Sequence, residues 1–232
     1  MLFRSLGGLP RIHRWAGLSA VGTAVLFMVA NALWGFEQPD AGASGPELLD
    51  FYGDLSGRIV AGALLTLISI AIFVVFASAF RCVLIELEGD ELLANIAFGG
   101  TLLGLAAGVG AETINMAAAL RAGDGELTES LAQALFDTSY VLGYNAAGVG
   151  IGLLTLATGT AALRARALLP RWLAIASLAL GVALLTPLSQ YVLGLSFLLL
   201  LVLGVLLLRG SAVGTRELDE PLDEPVVRES SG

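Results

Sequence analysis

Apolar runs of about twenty residues dominate the chain, and short polar or charged links separate them. A run of that length is what an α-helix needs to cross the hydrocarbon core of a bilayer. Soluble domains carry their apolar residues in shorter runs, whereas here 56% of all residues are hydrophobic. The sequence therefore predicts an all-α membrane domain rather than a soluble domain with a single anchor.

The apolar runs predict a transmembrane bundle of six helices, preceded by residues 1–14 and followed by the tail 209–232. The predicted spans are residues 15–36, 57–80, 92–119, 132–163, 172–187 and 190–208. The tail is acidic and contains two prolines, which predicts disorder. The alternative for the first run is a signal peptide that is cleaved near residues 30–32. Because that run continues to Phe36 and is long enough to span, we expect it to remain as the first helix.

The positions of the arginines predict the orientation of the chain. Six spans place both termini on one side of the membrane, and ten of the twelve arginines then lie on that side. Only Arg58 and Arg121 lie on the other side. Since basic residues concentrate in cytoplasmic segments, we expect a multi-pass protein of the cell (plasma) membrane with both termini in the cytoplasm.

Composition excludes several classes of function. The net charge of −8 argues against a nucleic-acid partner, which needs a basic face. The single cysteine, Cys82, rules out an internal disulfide. The single histidine, His13, precedes the first span and argues against haem or zinc ligation inside the bundle. We therefore expect neither a metal nor a cofactor.

Small residues follow one face of span three and lead to a carboxylate, Glu112. Positions four apart share a helix face, because each residue turns an α-helix by about 100°. Small residues at that spacing let another helix approach closely. The glycines predicted to pack helices are Gly100, Gly104, Gly108, Gly148 and Gly152. The pattern predicts that spans three and four lie close together and that Glu112 faces other helices.

Polar side chains from most of the predicted spans fall at one depth, in the third of each helix farthest from the termini. The predicted pocket residues are Asn31, Arg58, Glu112, Asn115, Asp137, Tyr140, Tyr144, Asn145 and Gln190. A carboxylate within the membrane is costly unless it is paired, so we expect Arg58 to pair with Glu112 or Asp137. These residues predict a polar pocket that opens outward. The alternatives are interfacial positions for Arg58 and Asp137, and a purely structural ion pair for Glu112.

Three functions remain open. The first is an integral membrane protein whose pocket binds or transports a small solute or protons. The second is a structural or accessory subunit whose glycine faces dock a membrane partner or a second copy of the chain. The third is a membrane-embedded enzyme, which is the least favoured of the three because the spans hold no histidine base, metal motif or phosphate loop, and no catalytic residue is predicted.

The closing part of the chain resembles a broad group of bacterial and archaeal multi-pass membrane proteins of unknown function. The resemblance is carried by residues 169–174 (LPRWLA), residues 181–185 (GVALL) and the leucine-rich span that ends at Leu208 and Arg209. Members of that group usually have about six spans. The resemblance implies a fold type but no activity, ligand or site residue.

Overall fold

The computed structural model describes residues 9–88, 91–165 and 169–219. Residues 1–8 and 220–232 of the two predicted terminal segments lie outside this description, as do Arg4, Arg166 and Arg228. Within the described ranges the chain is helical with short links and contains no strand. The prediction of an all-α chain is therefore confirmed for these residues.

Eight α-helices follow one another along the described chain. They are α1 (Leu9–Trp34), α2 (Gly45–Asp54), α3 (Ser56–Glu88), α4 (Glu91–Gly123), α5 (Glu129–Tyr140), α6 (Ala147–Ala165), α7 (Arg171–Leu184) and α8 (Ser189–Asp219). A 3₁₀ turn, Gly35–Glu37, follows α1, and a π-helical turn, Val141–Ala146, joins α5 to α6. The backbone of α8 continues past the predicted end of the last span at residue 208, because an existing helix extends at little cost per added residue.

Five helical segments are long and apolar enough to cross a membrane. They are Arg11–Glu37, Ser56–Glu86, Glu91–Gly123, Glu129–Arg164 and Ser189–Arg209. The remaining predicted span, residues 172–187, corresponds to α7, which has 14 residues. At about 1.5 Å per residue α7 is roughly 21 Å long, less than the ~30 Å of a hydrocarbon core.

The outer surface of the long helices is apolar. Leu64 and Ile68 on α3, Leu103 on α4 and Leu198 on α8 each expose about half of their surface. A soluble monomer rarely exposes apolar faces of this extent. Together with the length of the helices, this surface indicates a membrane-embedded protein.

The helices form a closed ring. Helix α1 packs against α3 and α8, α4 packs against α3 and α6, and α7 packs against α6 and contacts α8. One end of the ring carries Leu9 and Asp219 and is called the terminal end below. The other carries α2 and the α1–α2 connection and is called the capped end.

Glycines set the spacing between α4 and α6. A Cβ added to Gly100 would lie 2.6 Å from Leu153 Cβ, and one added to Gly104 would lie 3.1 Å from the Ala147 carbonyl oxygen. The facing residue on α6 is Gly150, which the sequence pattern did not single out. A Cβ on Gly150 would meet the α4 backbone, with the Gly100 carbonyl oxygen at 2.5 Å.

The other predicted packing glycines have different neighbours. Gly148 and Gly152 face α7, since an added Cβ would lie 3.2 Å from the Leu184 carbonyl oxygen and 3.1 Å from the Gly181 carbonyl oxygen respectively. Gly108 makes no close approach, because its added Cβ would meet only Ile70 Cδ1, at an ordinary 3.5 Å.

Helix α2 covers the capped end. It begins after Ser44, whose backbone N–H donates to Glu47 Oε2 at 3.4 Å, and a proline in the first turn suits a helix start. Its apolar face buries Leu48, Phe51 and Tyr52 against α4 and α5. The buried Tyr52 hydroxyl donates to Asn115 Oδ1 at 3.0 Å, which fastens the cap to α4.

We expect Tyr52→Phe to lower the free energy of unfolding by about 1 to 2 kcal/mol, because Asn115 Oδ1 loses its buried donor. Burial also raises the pKa of the Tyr52 phenol well above its usual value. Above the ordinary tyrosine pKa of about 10, an unfolded Tyr52 ionises while the folded one stays neutral, so stability falls as pH rises.

The measurement is detergent-solubilised thermal unfolding between neutral pH and pH 11, with Tyr191→Phe as the control because Tyr191 is exposed. The Tyr52 variant should be less stable at neutral pH and lose less stability on alkalinisation. Equal behaviour of the two variants would show that the cap does not depend on this hydrogen bond.

Candidate functional site

A cavity of about 320 Å³ lies inside the ring of helices, toward the capped end. It is bounded by α1, α3, α4, α8 and the π-helical turn with the start of α6. We call it the Glu112 cavity. Its volume is at the lower end of the range of about 300 to 1,000 Å³ that is typical of small-molecule sites.

Most of the polar side chains that line the Glu112 cavity lie toward the capped end, which we call its polar end. They are Asn31, Gln38, Glu112, Asn115, Ser139, Tyr144, Gln190 and Tyr191, while Thr66 and Ser69 line the cavity farther along α3. Asn31, Glu112, Asn115, Tyr144 and Gln190 belong to the predicted pocket, and they come from α1, α4, the π-helical turn and α8. Gln38 was not predicted, because it lies in the link after α1 and no helical periodicity assigns it a neighbour.

Glu112 is the carboxylate of this cavity. Its Oε2 atom is buried and has no hydrogen-bond partner among the described residues. The described residues that line the cavity include no arginine and no histidine. A buried polar atom without a partner is uncommon in native proteins and usually reflects function or a bound species.

The π-helical turn brings Gly143 and Tyr144 to the cavity wall. Such turns contain one extra residue and occur frequently at functional sites. The Tyr144 hydroxyl donates to Gln38 Oε1 at 3.0 Å, which connects this turn to the link after α1. The turn therefore positions a hydroxyl where a regular α-helix would place a different residue.

A second tyrosine makes a parallel contact at the edge of the cavity. The Tyr140 hydroxyl donates to Gln190 Oε1 at 2.6 Å, and the Tyr140 and Tyr144 ring centroids are 4.6 Å apart. The two tyrosines thus hold the link after α1 and the start of α8 against α5 and the π-helical turn. These two hydrogen bonds therefore lie beside the polar end of the cavity.

Apolar and aromatic side chains make up much of the remaining lining of the Glu112 cavity. Phe27 on α1 stacks on Phe197 of α8 with a centroid distance of 3.5 Å. Phe73, Ile151 and Phe197 also line a second, apolar cavity of about 30 Å³ nearer the terminal end. The Glu112 cavity therefore has both polar and apolar walls.

Four predicted pocket residues are not among those that line the cavity: Arg58, Asp137, Asn145 and Tyr140, whose hydroxyl contacts Gln190 at its edge. Arg58 does not pair with Glu112 or Asp137, because its Nη2 atom lies 2.7 Å from Glu37 Oε1 and both side chains are about half exposed. Arg58 stands in the first turn of α3, at the helix end, where its side chain reaches the adjacent 3₁₀ turn. The predicted pairing is wrong, and the interfacial alternative for Arg58 describes its position.

Asp137 and Asn145 are exposed. Their predicted places assumed one uninterrupted α-helix from residue 132 to 163. The extra residue of the π-helical turn rotates the faces on its two sides by about 100° relative to each other. Asp137 is therefore no longer on the face of Tyr144, and Asn145 instead accepts a hydrogen bond from the Ser189 hydroxyl at 3.1 Å.

The Glu112 cavity has few reactive or metal-binding side chains besides the Glu112 carboxylate among the described residues. Among the described residues, no group of three or more His, Cys, Asp and Glu side chains could hold a metal ion. The amide oxygens of Asn115, Gln38 and Gln190 already accept hydrogen bonds from tyrosines. Among the described lining residues, Glu112 Oε2 is the buried side-chain oxygen that no hydrogen bond satisfies.

Comparison with known proteins finds no matching family model, no matching curated protein and no matching solved structure, so the resemblance noted above stays a prediction and the site rests on its own chemistry.

Proposed function

We propose that this protein is a multi-pass membrane protein that binds a small solute in the Glu112 cavity. The observation that carries this proposal is the buried Glu112 Oε2 atom, which has no hydrogen-bond partner among the described residues. A buried carboxylate without a partner destabilises the fold. A ligand in the cavity of about 320 Å³ can offset this destabilisation by donating a hydrogen bond to the Glu112 carboxylate.

The proposed topology has six crossings, with α7 as the fifth. Helix α7 runs antiparallel to α6, because Gly159 faces the Ala174 carbonyl and Gly148 faces the Leu184 carbonyl. Contacts along most of α6 support a crossing by α7 and its adjoining links despite its 14 residues. In this topology both termini lie on one side of the membrane.

The positive-inside rule supports a cytoplasmic terminal end. Arginines of the described chain that lie toward the terminal end are Arg11, Arg14, Arg81, Arg164, Arg171, Arg209 and Arg216. Only Arg58 and Arg121 lie at the capped end. The capped end, and with it the polar end of the Glu112 cavity, therefore faces outward in a plasma membrane under this proposal.

The accessory-subunit alternative has less support. It needs glycine faces that are free to dock a partner, but Gly100, Gly104, Gly148 and Gly152 already face helices of the same chain. No specific observation favours an enzyme, since the described residues that line the Glu112 cavity include no histidine, lysine or cysteine that could act as a base or nucleophile beside it.

Thiol labelling tests the outward-facing cavity. Cys82 is replaced by serine, and Gly194→Cys is introduced, since Gly194 lines the cavity and an added Cβ meets no atom within 4 Å. A membrane-impermeant thiol reagent added outside intact cells should label Gly194→Cys faster than Leu198→Cys, whose side chain is exposed on the same helix but does not line the cavity.

Adding Gln38→Ala should speed the labelling further, because Tyr144 loses its acceptor and the link after α1 is released from the π-helical turn. Labelling from the cytoplasmic side alone, or equal labelling at the two positions, would contradict the proposed orientation or the cavity.

Liposome assays separate binding from proton movement. If the function is proton transport, the reconstituted protein should take up protons and Glu112→Gln should abolish uptake, because glutamine cannot carry a proton in exchange. Proton uptake that is unchanged in the variant would exclude any titrating role for Glu112 and leave solute binding as the proposal.

A further inference from the structure

We propose that the solute of the Glu112 cavity is an organic cation, with its charged nitrogen at Glu112 and its apolar body toward Phe27 and Phe197. This inference rests on the proposed function and adds the chemical class of the ligand. It follows from the charge of the cavity and the nature of its walls.

The charge of the cavity selects a cation or a hydrogen-bond donor. Glu112 is the one carboxylate among the described lining residues, and no basic side chain there opposes it. An anionic ligand would meet like charge without any compensating arginine or lysine, which is unfavourable at short range. A positively charged nitrogen instead supplies the donor or the charge that Glu112 Oε2 lacks.

The coordination chemistry disfavours an inorganic divalent cation. Calcium takes six to eight oxygen ligands, and magnesium needs a nearly ideal octahedron. The neighbouring amide oxygens of Asn115, Gln38 and Gln190 already accept hydrogen bonds from tyrosine hydroxyls. One carboxylate therefore has too few partners to hold such an ion.

Aromatic walls favour an organic cation over ammonium. Trp34 and Tyr144 line the polar end, and the faces of such rings attract ammonium groups, including quaternary ones. The stacked Phe27–Phe197 pair and Phe73 also line the cavity and offer an apolar surface to the rest of the ligand. A volume of about 320 Å³ suits a molecule that carries such an apolar part.

The test compares three probes of similar shape on the full chain in detergent. Benzyltrimethylammonium is the cation, neopentylbenzene is its neutral isostere with carbon in place of nitrogen, and phenylacetate is an anion. Binding is measured by isothermal titration calorimetry and by the shift in thermal unfolding. We expect the cation to bind more tightly than the isostere and the anion not to bind.

Two variants connect the binding to the site. Glu112→Gln keeps the shape and removes the charge, and should weaken cation binding by about 10-fold to about 100-fold while leaving the isostere unchanged. Gly194→Leu fills open cavity space and should weaken both ligands. Glu126→Gln is the control, since Glu126 is exposed in a link outside the cavity.

The outcomes separate this inference from the proposed function. If the isostere binds as tightly as the cation and Glu112→Gln changes neither, the cavity binds solutes but the organic-cation inference is wrong. Tighter binding of phenylacetate would also overturn the inference alone. If none of the probes binds, both the inference and the proposed function lose their support. Glu112→Gln can be checked for folding by its unfolding transition without ligand.

Discussion

Replacing Gly150 by alanine should lower the free energy of unfolding by about 3 kcal/mol, the upper part of the range for overpacked cores. The reason is that the new methyl group would meet the backbone of α4, with Gly104 Cα at 2.5 Å and the Gly100 carbonyl oxygen at the same distance. A side chain could rotate away from such a contact, whereas a helix backbone must move as a unit. The two helices would then separate along their whole contact.

The matched control is Gly99→Ala, on α4 beside Gly100, because a Cβ there meets no atom within 4 Å. It should change stability by no more than about 0.5 kcal/mol. The effects should decrease in the order Gly150, Gly100, Gly104 and Gly108, following the distances to the nearest atoms. Unfolding by sodium dodecyl sulfate in mixed micelles measures the series, and equal losses at Gly150 and Gly99 would refute close glycine packing.

Replacing Glu112 by methionine should raise the free energy of unfolding by about 1 to 3 kcal/mol in the absence of ligand. Methionine has a similar volume and removes a buried oxygen that has no hydrogen-bond partner among the described residues. The same change should abolish the binding of an organic cation, because the cavity keeps no other carboxylate among its described lining residues. A substitution that raises the stability of the fold and abolishes ligand binding indicates that the original residue serves function rather than stability.

Glu126→Met is the control for removing an acidic group, since Glu126 is exposed and pairs only at 3.9 Å with Arg121. Its effect on stability should be within about 0.5 kcal/mol. Thermal unfolding of both variants, with and without benzyltrimethylammonium, gives the comparison. A clear loss of stability in Glu112→Met would instead assign the carboxylate a structural role and favour the accessory-subunit alternative.

Most of the polar end of the cavity could be anticipated from helical depth and face. Asn31, Glu112, Asn115, Tyr144 and Gln190 stand toward the same end of α1, α4, the π-helical turn and α8, and each lines the cavity. Depth follows from counting residues along an apolar run, because the rise per residue of a helix is constant. No such rule places Gln38, which lies in a link, or Tyr52, which belongs to the short helix α2.

The predictions that went wrong depended on an interaction between segments or on a local change of helix geometry. The partner of Arg58 is Glu37, a residue of the 3₁₀ turn whose position depends on how the chain leaves α1. Asp137 turns away because of the π-helical turn, which leaves no clear mark in the sequence of residues 141–146. Similarly, the close contact of Gly150 depends on where α4 crosses α6, and the sequence of α6 alone does not specify that crossing.

By itself the sequence determined that the chain lies in a membrane as apolar helices, since the length and hydropathy of each run are local properties that need no knowledge of its neighbours. The tertiary structure decided which faces meet, which glycines are in contact and which carboxylate stays without a partner. These features depend on distances between segments that are far apart in the chain, such as the 106 residues between Gln38 and Tyr144, and no local pattern encodes such a distance.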